Sequence, residues 1–232
     1  MDSSYFVRNS SALPSPALLV YPEKIRSNTA MAVSIAGKPD RLRPHIKTHK
    51  TEQIVHIQQE AGIRKFKCAT IAEAEMLAKC GAKDVLLAYQ PVGPAILRLG
   101  ELCRAHADVS FQVIADDRRI AAELSEKFSQ AGLKIEVLLD IDPGMGRTGV
   151  PPDENAAEFY LELGKLKGIV PGGFHCFDGH NNQEDPEKRM SAAEDCLAAL
   201  NRLKDRVERK GGKVPRLVMG GTSTFPCYAK FE

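Results

Sequence analysis

The sequence contains no tryptophan, which decides nothing, but its other shortages narrow the possibilities. Neither sign of charge is in excess. The 32 basic and 30 acidic residues leave +2 at neutral pH, which gives no footing for nucleic acid or an anionic membrane surface. No apolar run approaches the ~20 residues that span a bilayer. Residues 1–16 lack the apolar centre of a secretory signal. There is no Cys-x-x-Cys pair. Cys68, Cys80, Cys103, Cys176, Cys196 and Cys227 are scattered, which suits six reduced thiols in a cytoplasmic protein better than a disulfide framework or a zinc site. What is present is a globular composition, 43% hydrophobic and 27% charged, in 232 residues, a length for one large domain or an α/β barrel.

Short apolar segments alternate with longer helical ones. Strands are expected at 17–21, 43–47, 65–69, 84–89, 109–115, 134–142, 169–177 and 216–219. Helices fall between them. Pro22 opens one that runs to residue 36, with Gly37 as its stop. Ile54, Ile57 and Ala61 mark the next, closed by Gly62. Thr70-Ile71-Ala72-Glu73 matches a capping box for a helix ending at Gly81. Further helices are expected from Pro94 to about 107, after an Asp116 cap to Gly132, over 153–167, and from Asp185-Pro186 to Gly211-Gly212. The repeat of roughly 25–35 residues is that of βα units. The strands are apolar rather than alternating, as parallel strands covered on both faces should be.

Arg43-Pro44-His45-Ile46-Lys47-Thr48-His49-Lys50 is the stretch on which the site turns. A strand running straight into a helix presents its last side chains at the carboxyl end, where open α/β sheets and barrels build their sites. Alternation puts His45 and Lys47 on one face. A lysine inside a buried strand is costly unless paired or neutral, and a neutral amine can attack an aldehyde. The plain alternative is a solvated lysine at a strand end.

Four other constellations follow strands. Gly220-Gly221-Thr222-Ser223-Thr224 could bring backbone amides and hydroxyls to an anion, or be a small-residue turn. Asp142-Pro143-Gly144-Met145-Gly146-Arg147-Thr148-Gly149 could aim Arg147 into the mouth of a barrel, or leave it an idle loop cation. His175-Cys176-Phe177-Asp178-Gly179-His180 offers an acid, a base or a stacking group. A metal cluster is disfavoured there because no typical carboxylate spacing accompanies the histidines. Tyr89-Gln90-Pro91 could touch a ligand or merely pack. His56 and His106 lie on helices and read as surface residues, and His175 as a strand histidine.

The stretch around Lys47 resembles the pyridoxal-phosphate lysine motif of the D-threonine aldolase and D-serine dehydratase family, whose N-terminal domain is shared with alanine racemase. The segment through Arg147 looks like the Asp-Thr-Gly-Met-x-Arg-x-Gly motif of the same group, with Pro143 where that motif has threonine. The segments at Tyr89-Gln90, Phe177 to His180 and Gly220-Gly221-Thr222 are similar to further segments of the family.

The resemblance implies an α/β fold: a pyridoxal-phosphate-binding TIM-type (β/α)8 barrel of alanine racemase type, here lacking its last strand and the C-terminal β domain. That barrel would occupy 16–232 after a polar N-terminal arm, 1–15. Lys47 would form the internal aldimine with pyridoxal 5'-phosphate, and Lys47 and His180 would be catalytic. The resemblance also implies that Tyr89, Gln90, Arg147, His180, Gly220, Gly221, Thr222 and Ser223 bind the cofactor with Lys47, and His45, on the face of Lys47, is counted with them. Arg147 facing the pyridine nitrogen would keep it unprotonated. The substrate implied is a small D-3-hydroxy amino acid, cleaved as by an aldolase or dehydrated. A divalent metal, zinc or manganese, is expected only through the C-terminal domain, so this chain is assigned no metal ligand and little turnover alone. A homodimer is expected by analogy. An amino-acid racemase, a non-catalytic pyridoxal-phosphate carrier and a cofactor-free barrel are the rival readings.

Overall fold

Six parallel strands, each followed by a helix, curl into most of a barrel with their order in the sheet equal to their order in the chain. The computed structural model describes residues 5–231; residues 1–4 of the expected arm lie outside them. The strands are β1 (Lys65–Cys68), β2 (Asp84–Leu87), β3 (Ser110–Ala115), β4 (Ile135–Ile141), β5 (Ile169–Cys176) and β6 (Leu217–Met219). The helices are α1 (Pro22–Ala36), α2 (Glu52–Glu60), α3 (Ile71–Lys79), α4 (Pro94–Ala105), α5 (Arg118–Gln130), α6 (Glu154–Leu163), α7 (Pro186–Arg209) and α8 (Phe225–Tyr228).

Local chemistry sets the element ends. Pro22 stands in the first turn of α1, and Gly37 ends it at φ +79°. Thr70 accepts the Glu73 amide at 3.1 Å, while the Glu73 carboxylate takes the Ala69 amide at 2.8 Å. This is the expected capping box with its return bond one residue early. Asp153 and Asp185 cap α6 and α7. The cap of α5 is Asp117, which accepts the Ile120 amide at 2.9 Å, and not Asp116. Asp116 instead accepts the Gly149 amide at 2.9 Å and ties β3 to the loop after β4.

Two expected strands are corrected. Residues 17–21 join no strand among the described residues and leave Leu18 81% exposed; an apolar run becomes a strand only when another edge takes its hydrogen bonds. The 43–47 stretch holds the first barrel position with a single bridge, His45 to Lys67, supported by the Lys67 amide on the Pro44 carbonyl at 2.9 Å. Pro44 has no N–H for a ladder. Past His45 the chain tightens into a 3-10 turn, Ile46–Thr48, whose Lys47 amide donates to the His45 ring at 3.2 Å.

Alternation divides the side chains. Phe66, Val85, Val113, Val137, Leu139 and Phe174 face the helices in the main core. Leu86, Ile114 and Leu138, with Val218, form a separate apolar layer inside the barrel. Below that layer Arg43 pairs with Asp84 and Gln112, and Arg216 with Glu136 at 2.9 Å. The register of β4 and β5 shifts between Val137 and Leu138, opposite the Gly172-Gly173 interruption. Gly173 adopts φ +107° there, and a Cβ on it would fall 2.0 Å from the Arg216 carbonyl oxygen. Its amide donates to the Tyr160 hydroxyl at 2.9 Å, which in turn donates to the Lys213 carbonyl at 2.9 Å.

The six cysteines are free, and Cys176 and Cys196 sit with their sulfurs 3.6 Å apart. No described helix is long and apolar enough to cross a membrane.

Candidate functional site

Above the inner apolar layer the barrel becomes polar. Lys67 on β1, Asp140 on β4 and His175 on β5 all point inward: Lys67 stands beside inward Leu86, and Asp140, two positions beyond inward Leu138, stands beside His175. They form a chain. The Lys67 Nζ lies 3.4 Å from His175 Nε2, His175 Nδ1 lies 2.6 Å from an Asp140 oxygen, and the other Asp140 oxygen accepts the Thr148 hydroxyl at 2.9 Å. All three strand residues are buried.

Electrostatics fixes the roles along the chain. Burial lowers the His175 pKa and Lys67 lowers it further, with Asp140 opposing, so the ring is neutral at pH 7. A neutral ring beside Asp140 donates from Nδ1 and leaves Nε2 to accept from the Lys67 ammonium. The Lys67 amine is itself pushed down to about 8, by burial first and then by Lys47 and Arg43. His45, half-buried, is pushed down to about 4 by burial, with Lys67 and Lys47 adding to it.

At the mouth, one aromatic ring collects the cations. Phe177, just past β5, has the Lys47 Nζ 5.6 Å, the Lys67 Nζ 5.9 Å and the Arg147 guanidinium carbon 4.6 Å from its centroid. On another side the ring meets the loop after β6: a Cβ on Gly221 would stand 3.0 Å from it. The Gly221 amide donates to Thr224 Oγ1 at 3.0 Å. Among the described residues, no protein group accepts the amides of Thr222, Ser223 or Thr224. A cavity of about 1810 Å³ joins these groups and continues down the seam between α1 and β6.

The sequence-derived residues divide accordingly. His45, Lys47, Tyr89, Gln90, Arg147, Gly220, Gly221, Thr222 and Ser223 line this one cavity. Lys47 reaches it from a turn rather than a strand and is exposed. Gln90 has its amide oxygen occupied by the Asp116 and Asp117 amides at 2.9 and 3.2 Å, so it braces the β3–α5 turn. His180 is outside the lining: it is exposed at the rim, with its Nε2 3.9 Å from where a Gly144 Cβ would be. The histidines on the cavity wall are His45 and His175. Lys67, Asp140, Phe177 and Asp178 escaped the sequence reading as site residues. The signal for the first two was there: a charged residue within the apolar stretch of a short, doubly covered strand.

A family model described as alanine racemase, N-terminal domain, matches residues 20–232. The D-threonine aldolase of Arthrobacter sp. is 30% identical over 186 residues, covering 79% of this chain and 48% of the relative. The D-threo-3-hydroxyaspartate dehydratase of Delftia sp. (strain HT23) is 26% identical over 225 residues, covering 95% of this chain and 58% of the relative. Among solved structures, the D-threonine aldolase from Filomicrobium marinum superposes with a TM-score of 0.86 at 27% identity, over 95% of this chain and 60% of that one. The chain thus spans about half the length of the curated relatives it matches.

Proposed function

The chain belongs to the alanine racemase N-terminal domain family, and from that premise we propose that it is the pyridoxal-phosphate-binding barrel of a lyase acting on D-3-hydroxy amino acids. The reaction would be of the aldolase or dehydratase kind named for its relatives. The observation that carries this reading is the meeting of Lys47, Arg147 and the Gly220–Ser223 loop around Phe177. In this reading residues 16–232 are the cofactor-binding unit and residues 1–15 an arm.

The residues present suit the cofactor. Its phosphate needs donors without bulk, and the 222–224 amides with the Thr222 and Ser223 hydroxyls provide them where a side chain on Gly221 would press on Phe177. Its aldehyde needs an amine, which Lys47 supplies. When bound, pyridoxal phosphate supplies a conjugated electron sink for negative charge at the substrate α-carbon. Lys47 also holds the amine that can take or return a proton there. His45, neutral above pH 4, accepts the Lys47 amide and sets the turn that aims this side chain. Arg147, stacked on Phe177, would face the pyridine edge and disfavour its protonation. Tyr89 would close the mouth from the β2 side and His180 from the rim beyond β5. We assign no metal ligand to this chain; zinc or manganese would be held by other residues. Cytoplasmic residence, supported by the free thiols, and a homodimer belong to the same proposal.

Borohydride reduction of the purified protein with pyridoxal phosphate, followed by peptide mass mapping, tests it. The expected result is a single phosphopyridoxyl group on Lys47, absent from Lys47→Ala. Labelling elsewhere, or no near-ultraviolet or visible band before reduction, would overturn it.

A further inference from the structure

Three cations of the site, Lys47, Lys67 and Arg147, form no ion pair among the described residues, whereas Arg43 is held by Asp84. Lys47, Lys67 and Arg147 converge on Phe177, with Arg43 below Lys67. Each carboxylate at this end of the barrel is already engaged. Asp140 accepts from Thr148 and His175, and Asp116 from the Gly149 amide. Asp142 accepts the amides of Gly144, Met145 and Gly146. Asp178 accepts from Thr224 and Tyr228.

Lys67 is the most deeply placed of these cations, with only 9% of its surface exposed, and it forms no ion pair among the described residues. Its one hydrogen-bond partner is neutral His175, which Asp140 holds in the accepting tautomer. An ammonium has three donors, so two remain for the cavity that it lines. A buried ammonium with spare donors and no counter-ion is expensive unless something anionic arrives.

We propose that Lys67, held by the His175–Asp140–Thr148 chain, is the residue that receives an anionic oxygen of the bound ligand in the interior of the barrel. This rests on the pyridoxal-phosphate reading above. The Gly220–Ser223 loop is already given to the phosphate, so two sources of that oxygen remain: the ring phenolate of the cofactor and the carboxylate of the amino acid. Both ask for a fixed cationic donor, and the chain behind Lys67 supplies the fixing. Of the groups that face its amine, Lys47, Arg43 and Arg147 favour the neutral form and Asp140, already engaged by His175 and Thr148, the charged one. An incoming anion gives the Lys67 ammonium the counter-charge that it lacks.

The experiment compares the unaltered protein with Lys67→Met, which fills the space without charge, and Lys67→Gln, which keeps a donor for His175. Pyridoxal phosphate binding and the pH titration of its visible band are measured for each, then the spectral response to D-serine and to ethanolamine, which lacks the carboxylate. A charge-assisted hydrogen bond lost from a buried site weakens binding by ~10-fold or more. If the phenolate is the partner, cofactor affinity falls by that factor in both variants and the apparent pKa of the band rises by about one unit. If the carboxylate is the partner, cofactor binding and the band titration hold, D-serine binding weakens by that factor, and the ethanolamine response is unchanged. Either result supports the proposal. Unchanged binding of cofactor and D-serine in both variants, with borohydride still trapping Lys47, overturns this proposal alone. Loss of the native fold in both variants makes Lys67 structural and overturns it too. An unaltered protein that is not labelled on Lys47 overturns the cofactor reading and this one together.

Discussion

Asp178 accepts the hydroxyl of Thr224 at 2.8 Å across 46 positions of sequence, and this bond joins the end of β5 to the loop after β6. The carboxylate is fully buried, and its second oxygen takes the Tyr228 hydroxyl at 2.8 Å. Thr224 in turn accepts the Gly221 amide, so the shape of the small-residue loop depends on a group outside it.

Replacing Asp178 therefore reaches the loop. Asp178→Ala leaves two hydroxyls without an acceptor, at roughly 1–3 kcal/mol for each. The urea midpoint should fall accordingly. Pyridoxal phosphate affinity should fall by more in Asp178→Ala than in Tyr228→Phe, which removes only one of the two bonds. Equal affinities in the two variants would detach the loop from Asp178.

Gly221 tests the loop from the ligand side. A methyl group there comes 3.0 Å from the Phe177 ring, close enough that the ring must yield. Gly221→Ala should change stability by no more than about 1 kcal/mol, since the cavity leaves the ring room to move. Cofactor affinity should drop several-fold, because the ring it displaces is the one the cations flank.

Gly173 tests the register of the sheet. Its φ of +107° and the 2.0 Å approach to the Arg216 carbonyl leave no room for a side chain. Gly173→Ala should destabilise by at least ~3 kcal/mol, read from denaturant unfolding. A mild effect would mean that β5 can pair without its irregularity.

Acid should weaken the fold through His45. Its folded pKa of about 4 lies below the 6.5 of the free side chain. Between those values the unfolded chain binds the proton and the folded one does not, so stability rises with pH from about 4 to 6.5 and is level on either side. His45→Asn keeps an acceptor for the Lys47 amide and removes the titration. Its stability curve should be flatter over that window than that of the unaltered protein.

Lys67 works in the same direction at the alkaline end. Its amine titrates near 8 when folded and 10.5 when free, so the folded form sheds its proton first and stability gains between those values. The difference in stability between the unaltered protein and Lys67→Met, measured from pH 7 to pH 10, should shift in favour of the unaltered protein. A constant difference would show that Lys67 titrates normally in the fold.

Much of this was legible in the residues. The helix ends at Pro22 and Gly37, the Thr70 cap and the Asp185 cap follow from side-chain chemistry within four positions, so they could be read in place. The β5 irregularity was written in Gly172-Gly173. Residues 17–21 misled because apolarity is local while strand pairing is not. Asp116 misled because two adjacent aspartates offer the same cap, and only the Gly149 amide, 33 positions away, claims the first. The separation of His175 on the cavity wall from His180 at the rim has a similar reason. Which of two histidines faces inward depends on where β5 ends, and β5 ends at Cys176, leaving His180 at the rim.

By itself the sequence determined the alternation of strand and helix, the parallel sheet that alternation requires, and a set of small, cationic and aromatic residues after the strands. Those follow from periodicity and turn chemistry, which act over a few residues. The tertiary structure alone decided which of those residues share a space. It set Lys67, His175 and Asp140 in one chain, 108 and 35 positions apart, and gave Phe177 the place where three cations and a glycine loop meet. The physical reason is curvature: a sheet that curls round brings the inward side chains of distant strands together, and no local rule records which ones will meet.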